Sequence, residues 1–124
     1  MSTNMTILVG TVGQGVMRSE DSGDSWRRVG IDQGLHSDAL VRALLAIPEQ
    51  PGVVFAGTDK GLYRSEDSGA TWGLVESPMG GYCVWALAAD PLDPRNMYAG
   101  TGTPNPAVLF RSNDGGVTDR KSVG

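Results

Sequence analysis

Between residues 41 and 76 the chain alternates short apolar runs with clusters of turn-forming residues. Val41-Arg42-Ala43-Leu44-Leu45-Ala46-Ile47 is almost wholly apolar and predicts an inner strand buried on both faces. Pro48-Glu49-Gln50-Pro51-Gly52 then reads as a turn. Residues 53–58 predict a second strand, Asp59-Lys60-Gly61 a tight connection, and Leu62-Tyr63-Arg64-Ser65 a third strand with clearer alternation. An Asp-Ser-Gly turn follows, and residues 71–76 predict a fourth strand. No segment carries a helical period. Four short strands separated by turns predict one four-stranded antiparallel blade.

The flanking segments repeat this pattern. Downstream, Val84-Trp85-Ala86-Leu87-Ala88-Ala89 matches the first strand, Asn96-Met97-Tyr98-Ala99-Gly100-Thr101 the second and Val108-Leu109-Phe110-Arg111-Ser112 the third. Upstream, Ile7-Leu8-Val9-Gly10-Thr11, Gly15-Val16-Met17-Arg18-Ser19 and Ser25-Trp26-Arg27-Arg28-Val29 match strands two, three and four. Residues 5–30 are therefore expected to form a unit without its inner strand, residues 41–76 a complete unit, and residues 84–124 a unit whose outer strand is degraded. The expected fold is all-β, an incomplete β-propeller of two to three four-stranded antiparallel blades spanning residues 1–124. Propellers close with about four to eight blades, and six at this period would need about 280 residues. Too few blades are present to close a ring, so the expectation is the N-terminal part of a larger propeller, with self-association as the alternative.

The turn before each fourth strand is nearly the same every time. Ser19-Glu20-Asp21-Ser22-Gly23-Asp24-Ser25-Trp26 returns as Ser65-Glu66-Asp67-Ser68-Gly69-Ala70-Thr71-Trp72. A third copy, Ser112-Asn113-Asp114-Gly115-Gly116-Val117-Thr118, has Asp119 where the tryptophan should stand. The three aspartates are spaced 46 and 47 residues apart, the signature of stacked copies of one unit. The aspartate can accept backbone N–H groups of the turn, Gly23, Gly69 and Gly116 permit positive φ, and Ser25, Thr71 and Thr118 can add a hydroxyl bond. Trp26 and Trp72 can lie across the corner.

These residues resemble the Asp-box, or bacterial neuraminidase repeat, whose pattern is Ser/Thr-x-Asp-x-Gly-x-Thr-Trp. The resemblance runs from about Ile7 to Thr118 and includes the Ala-Gly-Thr words before the third strands. The superfamily includes sialidases, xyloglucanases, a sortilin-type receptor ectodomain and a photosystem II assembly factor. The resemblance implies a structural box at the outer turn between strands three and four, away from the ligand face. It leaves function open, because those relatives do unrelated things. The arginine of sialidases that lies in a Phe/Tyr-Arg-Ile-Pro motif has no counterpart here.

Composition narrows the partners. The 124 residues carry a net charge of −4, which disfavours nucleic acid and anionic membranes as partners. The first residues have neither a cationic start nor a long apolar run, so a cytoplasmic location is the default expectation. One cysteine, Cys83, permits no intrachain disulfide.

Candidate chemistry is sparse. Glycoside hydrolysis needs two carboxylates across the scissile bond, but Asp21, Asp67 and Asp114 belong to the boxes, Asp90 and Asp93 to a Pro-rich turn, and Asp59 to a tight turn. Glu20, Asp21 and Asp24 do not have the spacing of a calcium loop. The glycines at 10, 13 and 15 precede a strand, not a helix, and so offer no phosphate site. His36 and Cys83, one period apart in corresponding loops, read as a solvated histidine and a half-buried thiol. No catalytic residues, metal ligands or cofactor are assigned. The loops between blades and between strands two and three are expected to share one face, with His36, Asp38, Asp59, Lys60 and Tyr82 as possible ligand contacts. The expected role is a binding or assembly scaffold for a protein or carbohydrate. The alternative is the N-terminal portion of a sialidase-like or xyloglucanase-like glycoside hydrolase.

Overall fold

The computed structural model describes residues 4–77 and 79–116, and for the backbone alone 120–123. Thr118 of the third box lies outside the described residues. The chain is all-β, with three antiparallel sheets packed in succession. The first contains β1 (Ile7–Gly10), β2 (Val16–Ser19) and β3 (Arg27–Val29), in that order. After a single 3-10 turn at Ile31–Gln33 comes the second sheet, β4 (Val41–Ala46), β5 (Val54–Thr58), β6 (Gly61–Ser65) and β7 (Gly73–Leu74). The third has β8 (Cys83–Ala89), β9 (Met97–Gly102), β10 (Leu109–Ser112) and β11 (Arg120–Val123).

Two cores lie between neighbouring sheets. Val16 and Val29 of the first sheet meet Val54, Ala56, Tyr63 and Trp72 of the second, with Leu35 and Ala39 of the connecting loop. On the other side, Phe55 and Leu62 meet Val84, Met97, Ala99 and Phe110 of the third sheet. The alternation along β5 explains this, since Val54 and Ala56 point one way and Phe55 the other. All five residues of β5 are buried.

Two expectations are corrected. The strand buried on both faces is β5, not β4, whose Arg42 and Ala46 are exposed. Strand β4 ends the sheet order, so one of its sides has no paired strand. Strand β7 keeps only two residues, both exposed, where six were predicted. Residues 120–123 add a short fourth strand to the third sheet. Strand β11 pairs with β10 through Phe110 and Arg111, with a register shift between Leu109 and Phe110.

Candidate functional site

The threonine that ends each second strand organises the loop that follows it. Thr11 donates its hydroxyl to Gly15 O at 2.7 Å, Thr58 to Gly61 O at 2.8 Å, and Thr101 to Pro106 O at 2.8 Å. These loops then bond to the segments between sheets. Gly15 N donates to Ala39 O, Asp59 N to Leu40 O, and Gly61 N to Tyr82 O. Cys83 N donates to Asn105 Oδ1 at 2.7 Å. The loops predicted to share a face are thus joined by hydrogen bonds at one end of the molecule.

Within this end, His36 is not a solvated loop residue. Its side chain keeps 15 % exposure. Nε2 lies 2.8 Å from Asp59 Oδ1 and Nδ1 lies 3.1 Å from the Tyr63 hydroxyl. The imidazole also stacks on the Tyr63 ring, with centroids 5.6 Å apart. Asp59 accepts the Leu40 amide as well, at 3.1 Å. Burial works to raise the Asp59 pKa, but the Leu40 amide and His36 outweigh it and leave it below the ordinary value. Burial pushes the Tyr63 phenol up. With Tyr63 only 5 % exposed, the trio resembles a proton relay in composition but offers no accessible nucleophile. Its effect is to pin the loop between the first two sheets onto the second sheet.

Cys83 is buried, not half-buried. Both ring nitrogens of His36 are engaged elsewhere, so no Cys–His pair forms. Tyr82 is half-buried and meets Phe110 edge-on at 5.5 Å. Asp38 and Lys60 are exposed, and Asp38 takes a positive φ of 55°.

One exposed pair at this end was not anticipated. In both β4 and β8 the register skips one residue, Arg42 between Val41 and Ala43, and Trp85 between Val84 and Ala86. A bulge re-aims the side chain of its extra residue. Here the two bulges bring Arg42 and Trp85 together, with the guanidinium carbon 3.7 Å from the centre of the indole. The indole N–H donates to Thr103 O at 3.1 Å, yet Trp85 remains 44 % exposed. Such a pair offers an aromatic surface and guanidinium N–H donors side by side. The sequence signal was available: Arg42 and Trp85 occupy the same position of the aligned first strands.

The repeated boxes occupy the β2–β3, β6–β7 and β10–β11 connections, and in each the box glycine has a positive φ. In the first, Asp21 accepts the Ser25 amide at 2.8 Å and the Ser25 and Ser19 hydroxyls at 2.5 and 2.8 Å. Ser19 Oγ in turn accepts the Gly23 amide at 2.8 Å. Asp67, Ser65, Gly69 and Thr71 repeat this pattern. In the third copy Ser112 donates to Asp114 and accepts from Gly116. The Ser25 bonds chiefly hold Asp21 at a pKa of about 2, and the Thr71 bonds do the same for Asp67. Trp26 and Trp72 close the corner by donating to Gly23 O and Gly69 O. The corner also reaches across sheets, because Arg18 Nε donates to Ser68 O at 3.1 Å. The equivalent Arg64 Nε is buried with no partner among the described residues.

No known family model matches the sequence, and no curated protein matches it. Solved structures do. An ancestral GH74 enzyme superposes with a TM-score of 0.81 at 21 % identity, covering 99 % of this chain and 17 % of that one. The GH74 xyloglucanase from Xanthomonas campestris gives 0.71 at 22 % identity, covering 96 % of this chain and 19 % of that one. YCF48 bound to a D1 peptide gives 0.66 at 17 % identity, covering 97 % of this chain and 38 % of that one. The chain therefore spans less than two fifths of each of these proteins. The likeness shows the fold, a partial β-propeller.

Proposed function

We propose that this chain is a binding and assembly segment of a propeller, with its ligand contacts at the looped end and no catalysis of its own. The observation that carries this reading is the exposed Arg42–Trp85 pair, set by two equivalent bulges beside the loops. The nearby carboxylate with a fixed geometry, Asp59, is already engaged by His36 and Leu40. Residues 5–30, 41–76 and 84–124 act as successive blades. The first two corners match the Asp-box pattern in residue type and hydrogen bonding, and the third keeps its Ser112–Asp114 and Gly116–Ser112 bonds, which supports placement in the bacterial neuraminidase repeat superfamily. The indole would stack on a sugar ring or an apolar peptide side chain, and Arg42 would donate to its polar groups.

Titration calorimetry of the chain against xyloglucan oligosaccharides and a peptide panel tests this. Saturable binding that is lost in both Trp85→Ala and Arg42→Ala, with the thermal midpoint kept, supports it. Binding that survives both substitutions overturns it.

A second reading is favoured by the GH74 neighbours: the segment forms the N-terminal blades of a glycoside hydrolase. Release of reducing ends from xyloglucan by the longest natural polypeptide that contains these residues would support it, and intact polysaccharide would remove it.

A further inference from the structure

The register of the first sheet sets Arg18 of β2 directly opposite Arg27 of β3. Opposed residues of neighbouring strands share a face, and like charges there repel. Arg18 is engaged: its Nε donates to Ser68 O and its Nη1 to Glu20. Arg27 is exposed and has no acceptor among the described residues. Both line a rim pocket of about 180 Å³ that lies between the first corner and Ala70 of the second. Trp26, 42 % exposed, lines it too, and Glu20, Ser25 and Gln33 add polar groups. Gln33 Oε1 accepts the Gly30 amide, which leaves its NH2 group without an acceptor among the described residues.

The fold does not require the second cation. One unit later the same place is again a pocket, where Arg64, Glu66 and Trp72 repeat Arg18, Glu20 and Trp26. Gly73 stands there for Arg27, Glu76 joins the lining, and Trp72 is 7 % exposed. A repeat that keeps its corner with glycine at this position gives Arg27 no structural duty. In the first unit, two cations against one carboxylate leave a single positive charge beside an exposed indole.

We infer that this rim pocket is a binding site for a hexuronate, a pyranose ring that carries one carboxylate. The carboxylate would sit between Arg27 and Arg18 and relieve their repulsion, since guanidinium and carboxylate pair in charge-assisted, bidentate fashion. The apolar face of the ring would lie on Trp26. Its hydroxyls would be met by the Gln33 amide, Ser25 and Glu20. One surplus positive charge suits a monoanion and not a phosphate dianion. The volume is below the ~300 Å³ at which drug-sized sites begin, so it takes a single ring. The pocket is separate from the Arg42–Trp85 pair and does not rest on the ligand reading above.

The probe is methyl β-D-glucuronide, titrated into the 15N-labelled full chain. Saturable shifts are expected at the Trp26 indole N–H and the Arg27 amide. Methyl β-D-glucoside, which lacks the charge, should bind about tenfold more weakly or worse, and so should acetate, which lacks the ring. Arg27→Gln should lose about tenfold in affinity for the glucuronide with its thermal midpoint kept. Tetragalacturonate separates the two sources of the group. Binding at least as tight as that of the monomer assigns the uronate of a polysaccharide, and weaker binding assigns the free acid. Absence of saturable shifts, equal binding of the glucoside or of acetate, unchanged affinity in Arg27→Gln, or shifts confined to Trp85 and the looped end would each overturn the inference.

Discussion

Gly69 lies against Leu8 across the boundary between the first two sheets: a Cβ placed on Gly69 would stand 2.6 Å from Leu8 Cδ1. Gly116 stands in the same relation to Phe55 one unit later, where a Cβ would fall 2.7 Å from Cζ. The box glycine therefore serves two ends. It permits a φ of +84° at position 69, and it leaves room for the neighbouring sheet.

Gly23 separates these two roles. Its φ is +96°, but a Cβ there would meet Ile7 Cδ1 at an ordinary 3.7 Å. Gly23→Ala should cost about 1–2 kcal/mol for the backbone alone. Gly69→Ala should cost about 2–4 kcal/mol, because overpacking adds to the strain. Urea unfolding reads both. Adding Leu8→Ala to Gly69→Ala should recover part of the loss, a coupling of about 0.5 kcal/mol or more. Equal costs at the two glycines would show that the contact with Leu8 is slack.

The box carboxylates set the acid limit of stability. Asp21 and Asp67 are held at about 2 against an ordinary 3.8. A depressed carboxylate contributes stability above its unfolded value and loses it as pH falls through the folded one. The thermal midpoint should drop steeply between about pH 4 and pH 2. Asp21→Asn and Asp67→Asn should start lower at pH 5, fall less, and meet the parent near pH 2. Parallel curves would assign the acid transition to other groups.

The middle residue of the corner is also left-handed. Ser22 and Ser68 have φ of 61° and 60°, and the third copy has Gly115 there at 74°. Ser68→Gly should raise stability by about 0.5–1 kcal/mol, relief of strain exceeding the added unfolded-state entropy. Ser22→Gly should gain nothing, because the Ser22 hydroxyl accepts the Met5 amide at 2.8 Å. Differential scanning calorimetry of the pair decides it, and a loss in Ser68→Gly would refute the strain account.

His36→Phe keeps a ring over Tyr63 but removes both of its polar contacts. It should cost about 1–3 kcal/mol, since the part-buried Asp59 carboxylate and the Tyr63 hydroxyl each lose a partner. Tyr63→Phe in that background should restore part of the loss. Tyr63 itself, raised above the ordinary 10.0 by burial, supports stability below that pH, and this is lost as alkali ionises it in the folded state. Ultraviolet titration should show one tyrosine ionising late, and His36→Phe should alter that step alone.

Several features were legible because their contacts are local. The bonds of Asp21 to Ser19 and Ser25 span four residues or fewer, so residue type and spacing suffice to foresee them. The threonine at the end of each second strand is of the same kind. The His36–Asp59–Tyr63 trio joins residues 23 and 27 positions apart, and nothing in a loop histidine announces such partners. Arg42 and Trp85 align in the sequence, but the bulge that re-aims them was hidden, because a skipped register leaves no mark in an apolar run. Strand β7 was overestimated because its residues have strand character but only Gly73 and Leu74 enter the ladder with β6, with one further amide bond from Val75 to Leu62 O.

Trp26 and Trp72 show the division most simply. The same eight-residue word places each indole N–H on a glycine carbonyl in its own corner, and the word by itself was enough for that. Yet Trp72 is 7 % exposed and Trp26 is 42 % exposed. Trp72 packs in the core shared with the first sheet, whereas no described sheet covers the corresponding side of Trp26. Turn chemistry is decided over a few bonds of chain. Burial is decided by what lies across a gap in space, and only the packed sheets determine that.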